Sequence, residues 1–205
     1  MRYLFAILLG TLSVCSIAAP KDDAKAAAER GDYKSAFEIL LPLAEAGDVD
    51  ALGNIGNMYA FGQGTERDYA KAYSYWSRAA DKHLGSAMGN IAVLYTNGLG
   101  GVNKDKKLAA HWYRQAAEHR HFPSMLALSS LYATGEGIEK DPIRAMAWAG
   151  LAASNAPNQR AQQAAVGQVQ AIGRGMSKED IDKAQSVSNE LRLTIDANIK
   201  KYKEQ

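Results

Sequence analysis

The side chains that most invite a catalytic or metal-binding reading are four histidines, His83, His111, His119 and His121, and three evenly spaced aspartates, Asp68, Asp105 and Asp141. The single cysteine, Cys15, is the other candidate. His119-Arg120-His121 places two imidazoles close together, and His111 lies two turns before His119 if that stretch is helical. A structural zinc site needs about four N or S ligands, and no thiol or carboxylate spacing completes one here. No metal and no cofactor is therefore expected. Three Gly-x-Gly turns, at 62–64, 98–100 and 135–137, are not phosphate loops, because no strand precedes them and no Gly-Lys-Ser/Thr follows. No serine has a specified base and orienting partner, so no nucleophile is assigned. The aspartates recur at one place in a repeating pattern, which fits helix capping better than acid–base work. Catalytic residues: none.

Composition narrows the class further. The 205 residues carry 24 Lys+Arg against 22 Asp+Glu, a formal charge of +2 with both signs interspersed, which argues against a nucleic-acid binder. One cysteine excludes a disulfide framework. The 36 alanines and few β-branched runs favour helices throughout.

The first residues read as a targeting segment. Arg2 is a short basic region, Leu4 to Val14 an apolar run, and Ser16-Ile17-Ala18 a small-residue cleavage site. Residues 1–18 are expected to be a signal peptide cut after Ala18, which makes the mature protein periplasmic or secreted. Leu12-Ser13-Val14-Cys15 resembles a bacterial lipobox, with Val14 where that pattern wants a small residue. Membrane attachment is expected only if Cys15 is lipidated.

The elements that position everything else come from an internal repeat. Tyr59, Tyr95 and Tyr132 each open a Tyr-x-x-Gly-x-Gly. Asp68, Asp105 and Asp141 follow, then Ala72, Ala109 and Ala145, then Tyr75, Trp112 and Trp148, then paired alanines ending at Ala80, Ala117 and Ala153. The period is 36 residues, and one inserted residue at Gly101 accounts for every 37. Ala51, Ile55 and Tyr59, with their equivalents, make the apolar stripe of a first helix. Gly62, Gly98 and Gly135 are expected to end it in the left-handed conformation. The second glycine of each turn is expected to let the next helix pack close. The aspartates should cap the second helix, whose aromatic is expected to be mostly buried.

Gly31-Asp32-Tyr33 to Gly47 matches the second half of such a unit, with Ala24 to Arg30 as a truncated first helix. After residue 156 the pattern breaks. Ala161, Ala164, Ala165, Val169 and Ile172 form one stripe, and Ser177 caps a long helix with Ile181, Ala184, Val187, Leu191, Ile195 and Ile199 on one face. Open arrays need such an end cap. Lys200-Lys201-Tyr202-Lys203 is expected to be a solvated helix end.

The repeating pattern resembles the Sel1-like repeat, a relative of the tetratricopeptide repeat, over residues 24–156. Two local departures are Ser129, where Gly or Ala is usual, and the order Tyr75-Trp76 against Trp112-Tyr113. The resemblance implies an all-α, right-handed α-solenoid of stacked antiparallel helix pairs. The chain then divides into a half repeat (19–47), three repeats (48–83, 84–120 and 121–156) and C-terminal capping helices (157–205). It also implies a non-enzymatic scaffold for protein–protein interaction. One cysteine-rich branch of that family is linked to β-lactam binding; its paired cysteines are missing here, so that activity is not carried over.

First helices of such arrays line the concave face, so their off-stripe residues are the candidate partner-binding set: Asn54, Asn57, Phe61, Asn90, Val93, Asn97, Ser130 and Thr134. Asparagine offers both a donor and an acceptor to peptide groups. The expected partner is a protein of the bacterial cell envelope. Association with peptidoglycan or an exported polysaccharide is the alternative, and an envelope hydrolase or β-lactam-binding enzyme a third class.

Overall fold

A computed structural model describes residues 18–204. The apolar leader and Cys15 lie outside the described residues. The described chain consists of ten helices: α1 (Ala18–Glu29), α2 (Tyr33–Glu45), α3 (Val49–Phe61), α4 (Tyr69–Ala80), α5 (Gly85–Asn97), α6 (Lys106–Glu118), α7 (Phe122–Thr134), α8 (Pro142–Ser154), α9 (Gln159–Gly173) and α10 (Lys178–Lys203). From α1 to α9 each helix packs on its neighbours in the chain, and α10 packs back on α8, which gives a solenoid of hairpins α1–α2, α3–α4, α5–α6 and α7–α8, closed by α9 and α10. Among the described residues no helix is long and apolar enough to cross a membrane.

The turn chemistry repeats with the sequence. Gly62, Gly98 and Gly135 end α3, α5 and α7 at φ of 68°, 71° and 81°. The amides of Asp68, Asp105 and Asp141 then reach back to the carbonyls of Tyr59, Tyr95 and Tyr132, each at 2.9 Å. The same aspartates accept from Lys71 N at 2.9 Å, Leu108 N at 3.0 Å and Arg144 N at 2.9 Å, satisfying amides that the helix start leaves free. So the Tyr-to-Asp spacing is fixed by a hydrogen bond that closes the loop. Gly101 bulges out of the α5–α6 loop with nothing within 4 Å of an added Cβ, which is why one extra residue is tolerated there.

The second glycine works differently from expectation. A Cβ on Gly64 would lie 2.1 Å from Tyr33 O, on Gly100 2.7 Å from Tyr69 O, and on Gly137 2.1 Å from Lys106 O. These carbonyls sit in the first turn of the second helix of the preceding hairpin. The missing side chain therefore joins one repeat to the one before it, not the two helices of one repeat.

The first hairpin also departs from expectation. Its first helix starts at Ala18 and is 12 residues long, not a truncated stub at 24–30. Only three residues connect it to α2, and Asp32 caps α2 through Ser35 N at 3.1 Å. Ala24 and Ala27 are buried against α2.

The core lies between the helix layers. Leu52, Ile55, Ile91, Leu94, Met125 and Leu128 of the first helices are completely buried, against paired alanines of the second helices. The aromatics vary by repeat. Trp148 is buried, but Tyr75 and Trp112 are only half-buried. In the first full repeat Trp76 takes the interior, because Gly56 leaves room for the indole directly over its Cα. In the third, Ser129 stands in place of Gly56, and its hydroxyl donates to Ala145 O at 2.6 Å.

At the array's end α9 lies against α8, and Gln168 donates to Leu126 O of α7. Of the expected α9 stripe, Ala165 is buried while Ala164 faces solvent. Ser177 caps α10 through Asp180 N at 3.1 Å, and Ala184 and Ile195 are the buried points of its apolar face.

Candidate functional site

α3 and α5 touch directly across the repeat boundary, whereas α4 and α6 make no comparable contact. In stacked helix-pair arrays the first helices line the concave side, and their free faces make the inner surface.

At the N-terminal end this surface opens into a groove of about 420 Å³ between α1 and α3, floored by α2. Ala24 and Ala28 of α1, Ala36 and Leu40 of α2, and Ala51 and Met58 of α3 give it apolar walls. Small alanines on all three helices leave space that larger side chains would fill. Lys21 and Asp50 stand at one end, Tyr33 and Gln63 line it further along, and Asn54 and Asn57 project from α3. Lys21 bridges Asp48 at 2.6 Å and Asp50 at 3.1 Å, which ties α1 to the start of α3. The Asp48 hydrogen bond, acting against slight burial, raises the Lys21 pKa. Partial burial opposes ionisation of Asp48, but hydrogen bonds from Lys21 and the Ala51 amide outweigh it, and its carboxyl lies below the usual range. The groove end is thus a fixed, charged clamp beside an apolar floor.

The eight candidate residues divide into two groups. Asn54 is exposed on the groove wall, Phe61 is 72% exposed two turns along the same face, and Val93 is 42% exposed on α5. These three side chains are available to a partner. The others are engaged within the protein. Asn57 Oδ1 accepts from Trp76 Nε1 at 3.2 Å and from Asn90 Nδ2 at 2.9 Å, so the two asparagines join neighbouring repeats. Asn97 donates back to Val93 O at 2.9 Å, and Thr134 to Ser130 O at 3.0 Å. Ser130 Oγ accepts from Gln168 at 3.0 Å, so α9 occupies the inner face at the third repeat. The ladder is continuous in sequence; Asn97, Ser130 and Thr134 are exposed too, but each makes a hydrogen bond within the protein.

The histidines diverge. His121 Nδ1 lies 2.8 Å from Ser124 Oγ, Gln115 donates to His111 at 3.2 Å, and His119 stacks on His83. Among the described residues no group of three or more His, Cys, Asp or Glu side chains converges as a metal site would. Tyr75 was missed as a polar residue. It stacks on Tyr59 at 5.6 Å and its hydroxyl donates to Glu45 at 2.6 Å, beside Arg78. Burial first, then the Glu45 carboxylate, pushes the phenol up to about 12.

Comparison with known proteins agrees with this architecture. The Sel1 repeat family model matches residues 49–84, 85–121 and 123–156, more than half of the chain. The chain belongs to the Sel1 repeat family. Repeats of this family generally mediate protein–protein interaction. Two solved structures are similar. One is a protective antigen present in uropathogenic Escherichia coli strains and displaying an SLR fold. It is 25% identical, with a TM-score of 0.70 over 85% of this chain and 40% of the antigen. The other is a Sel1 repeat protein from Oxalobacter formigenes, 27% identical, with a TM-score of 0.67 over 84% of this chain and 72% of that one. The chain thus spans well under half the length of the antigen. No curated protein matches the sequence.

Proposed function

We propose that this protein is a non-enzymatic adaptor of the bacterial cell envelope that holds a segment of a partner protein against the inner face of α1, α3 and α5. One observation carries the reading. The alanine-walled groove beside Asn54 lies along α3, and Phe61, the last residue of that helix, leaves an aromatic ring 72% exposed outside the groove. An exposed aromatic next to an apolar groove is the usual composition of an interface anchor. Asn54 and Gln63 supply amides for the backbone of an extended segment, and the clamp at Lys21 fixes the groove's end.

The envelope placement rests on the leader: a basic residue, an apolar run and a small-residue site ending at Ala18. Cleavage there leaves nearly all of α1 on the mature chain. Mass spectrometry of the exported protein should give an N-terminus at Ala19; a lipidated Cys15 or an intact Met1 refutes this placement.

The partner reading is tested by co-purification from envelope fractions. Phe61→Ala with Val93→Ala should lose a defined partner that the parent chain and an outer-face Ser74→Ala/His111→Ala control both retain. Equal recovery from all three removes the inner face from the interaction. Sedimentation with purified peptidoglycan separates the polysaccharide alternative. Trp148 is 2% exposed and offers no ring face to sugars, whereas Tyr75 and Trp112 are half-buried.

A further inference from the structure

The C-terminal helix does more than cap the last repeat. α10 packs along α8, and its final turns reach the C-terminal ends of α6 and α4. Tyr202 stacks on His83 with centroids 4.2 Å apart and planes at 24°. It lies 5.3 Å from His119, and the two imidazoles stack on each other at 5.2 Å. Asp196, earlier on α10, pairs with Arg120, which also donates to Asn155 at 3.0 Å. So residues 196–202 bridge three hairpins that are otherwise joined in series.

His83 and Arg120 take φ of 66° and 60°, the left-handed region. Gly47 holds the equivalent position in the hairpin before, at φ 87°. A side chain there costs on the order of 1–2 kcal/mol. The chain accepts that strain at the two places where the side chain meets α10.

We propose that His83, His119 and Tyr202 form a pH-sensitive latch, which fastens the last turn of α10 across the repeats at neutral pH and frees it when both imidazoles are protonated. One imidazolium on the face of Tyr202 is tolerated, since aromatic faces attract cations. Two imidazoliums stacked at 5.2 Å repel, His119 being partly buried and His83 exposed. The elements that meet at the latch carry charges of both signs. The end of α4 carries Asp81 and Lys82, the end of α6 carries Glu118 and Arg120, and α10 carries Asp196, Lys200 and Lys201. Asp196 is already paired with Arg120, and burial favours the neutral form of Glu118.

Burial first, and His83 second, hold the His119 pKa below its ordinary value. The free helix end therefore binds more protons than the latched one as pH falls below about 6.5. Latching is complete above that pH and weakens as the solution is acidified through the depressed value. This inference is independent of the partner-binding proposal.

The test uses the full chain with Cys15→Ser and spin labels on Ser74→Cys and Lys201→Cys. At about pH 7.5 a single short distance is expected. At about pH 5 a longer population should appear, with helicity unchanged. His119→Gln keeps the tight His83–Tyr202 stack and removes the second charge, so it should stay short at both values. A distance unchanged by acid in the parent overturns the latch. So does a His119→Gln chain that lengthens in acid as the parent does, or one already open at neutral pH.

Discussion

Asn57 and Asn90, one repeat apart, share a hydrogen bond of 2.9 Å across the boundary between α3 and α5. Asn57 Oδ1 also accepts from the buried Trp76 indole at 3.2 Å. One amide oxygen thus joins two helices of one repeat and the first helix of the next.

Asn57→Ala should therefore act on stability. It strands the Trp76 N–H, and an unpaired buried donor costs about 1–3 kcal/mol. Urea unfolding followed by tryptophan emission should show that loss. Asn54→Ala, on the exposed groove wall, should stay within about 0.5 kcal/mol of the parent. Similar losses for the two would contradict the distinction between the joined and the free asparagine.

The paired glycines make a second contrast. Gly137→Ala drives a Cβ to 2.1 Å from Lys106 O and adds a side chain at φ 71°. Overpacking and left-handed strain together should remove about 3 kcal/mol or more. Gly101→Ala, at φ 83° with open space around it, should lose only about 1–2 kcal/mol. Thermal melts of the two variants check the difference, and equal melts would refute the contact between repeats.

Tyr75 supplies a prediction at alkaline pH. Its phenol is raised to about 12, so the folded protein keeps a proton there that the unfolded chain gives up near its ordinary value, about 10. The sign follows from linkage. The contribution is complete below about pH 10 and is lost as pH rises from there toward the folded value. Absorbance titration should show a late-ionising phase shared by Tyr75 and Tyr95, and Tyr75→Phe should remove the Tyr75 part of it. A Tyr75→Phe chain with an unchanged titration curve would contradict the assignment.

Much of this fold is legible in the sequence because each repeat solves the same local problem with the same residues. A tyrosine carbonyl, a left-handed glycine and a capping aspartate lie within ten residues of one another, and their spacing recurs three times. The boundaries of α3 to α8 follow from that chemistry. What escaped the sequence depends on residues far apart in the chain. Gly64 reads as a turn residue, but its space is taken by the Tyr33 carbonyl of the hairpin before. Trp76 goes inside in place of Tyr75 because Gly56, on the facing helix, leaves the room. Tyr202 reads as part of a solvated helix end, yet it meets a histidine 119 positions earlier, a pairing without periodicity to betray it. The candidate site was legible as a ladder of positions on the first helices. Which rungs are free was not, because Asn57, Asn90 and Ser130 are occupied by partners on other helices.

The most direct test of the adaptor reading is photo-crosslinking in intact cells, with a photoreactive residue placed singly at 54, 61, 93, 74 or 111. Positions 54, 61 and 93 should each give the same discrete protein adduct, strongest at 61, while outer-face positions 74 and 111 give none. Adducts of equal yield from both faces, or from the outer face alone, would contradict a partner held on the inner face of the array.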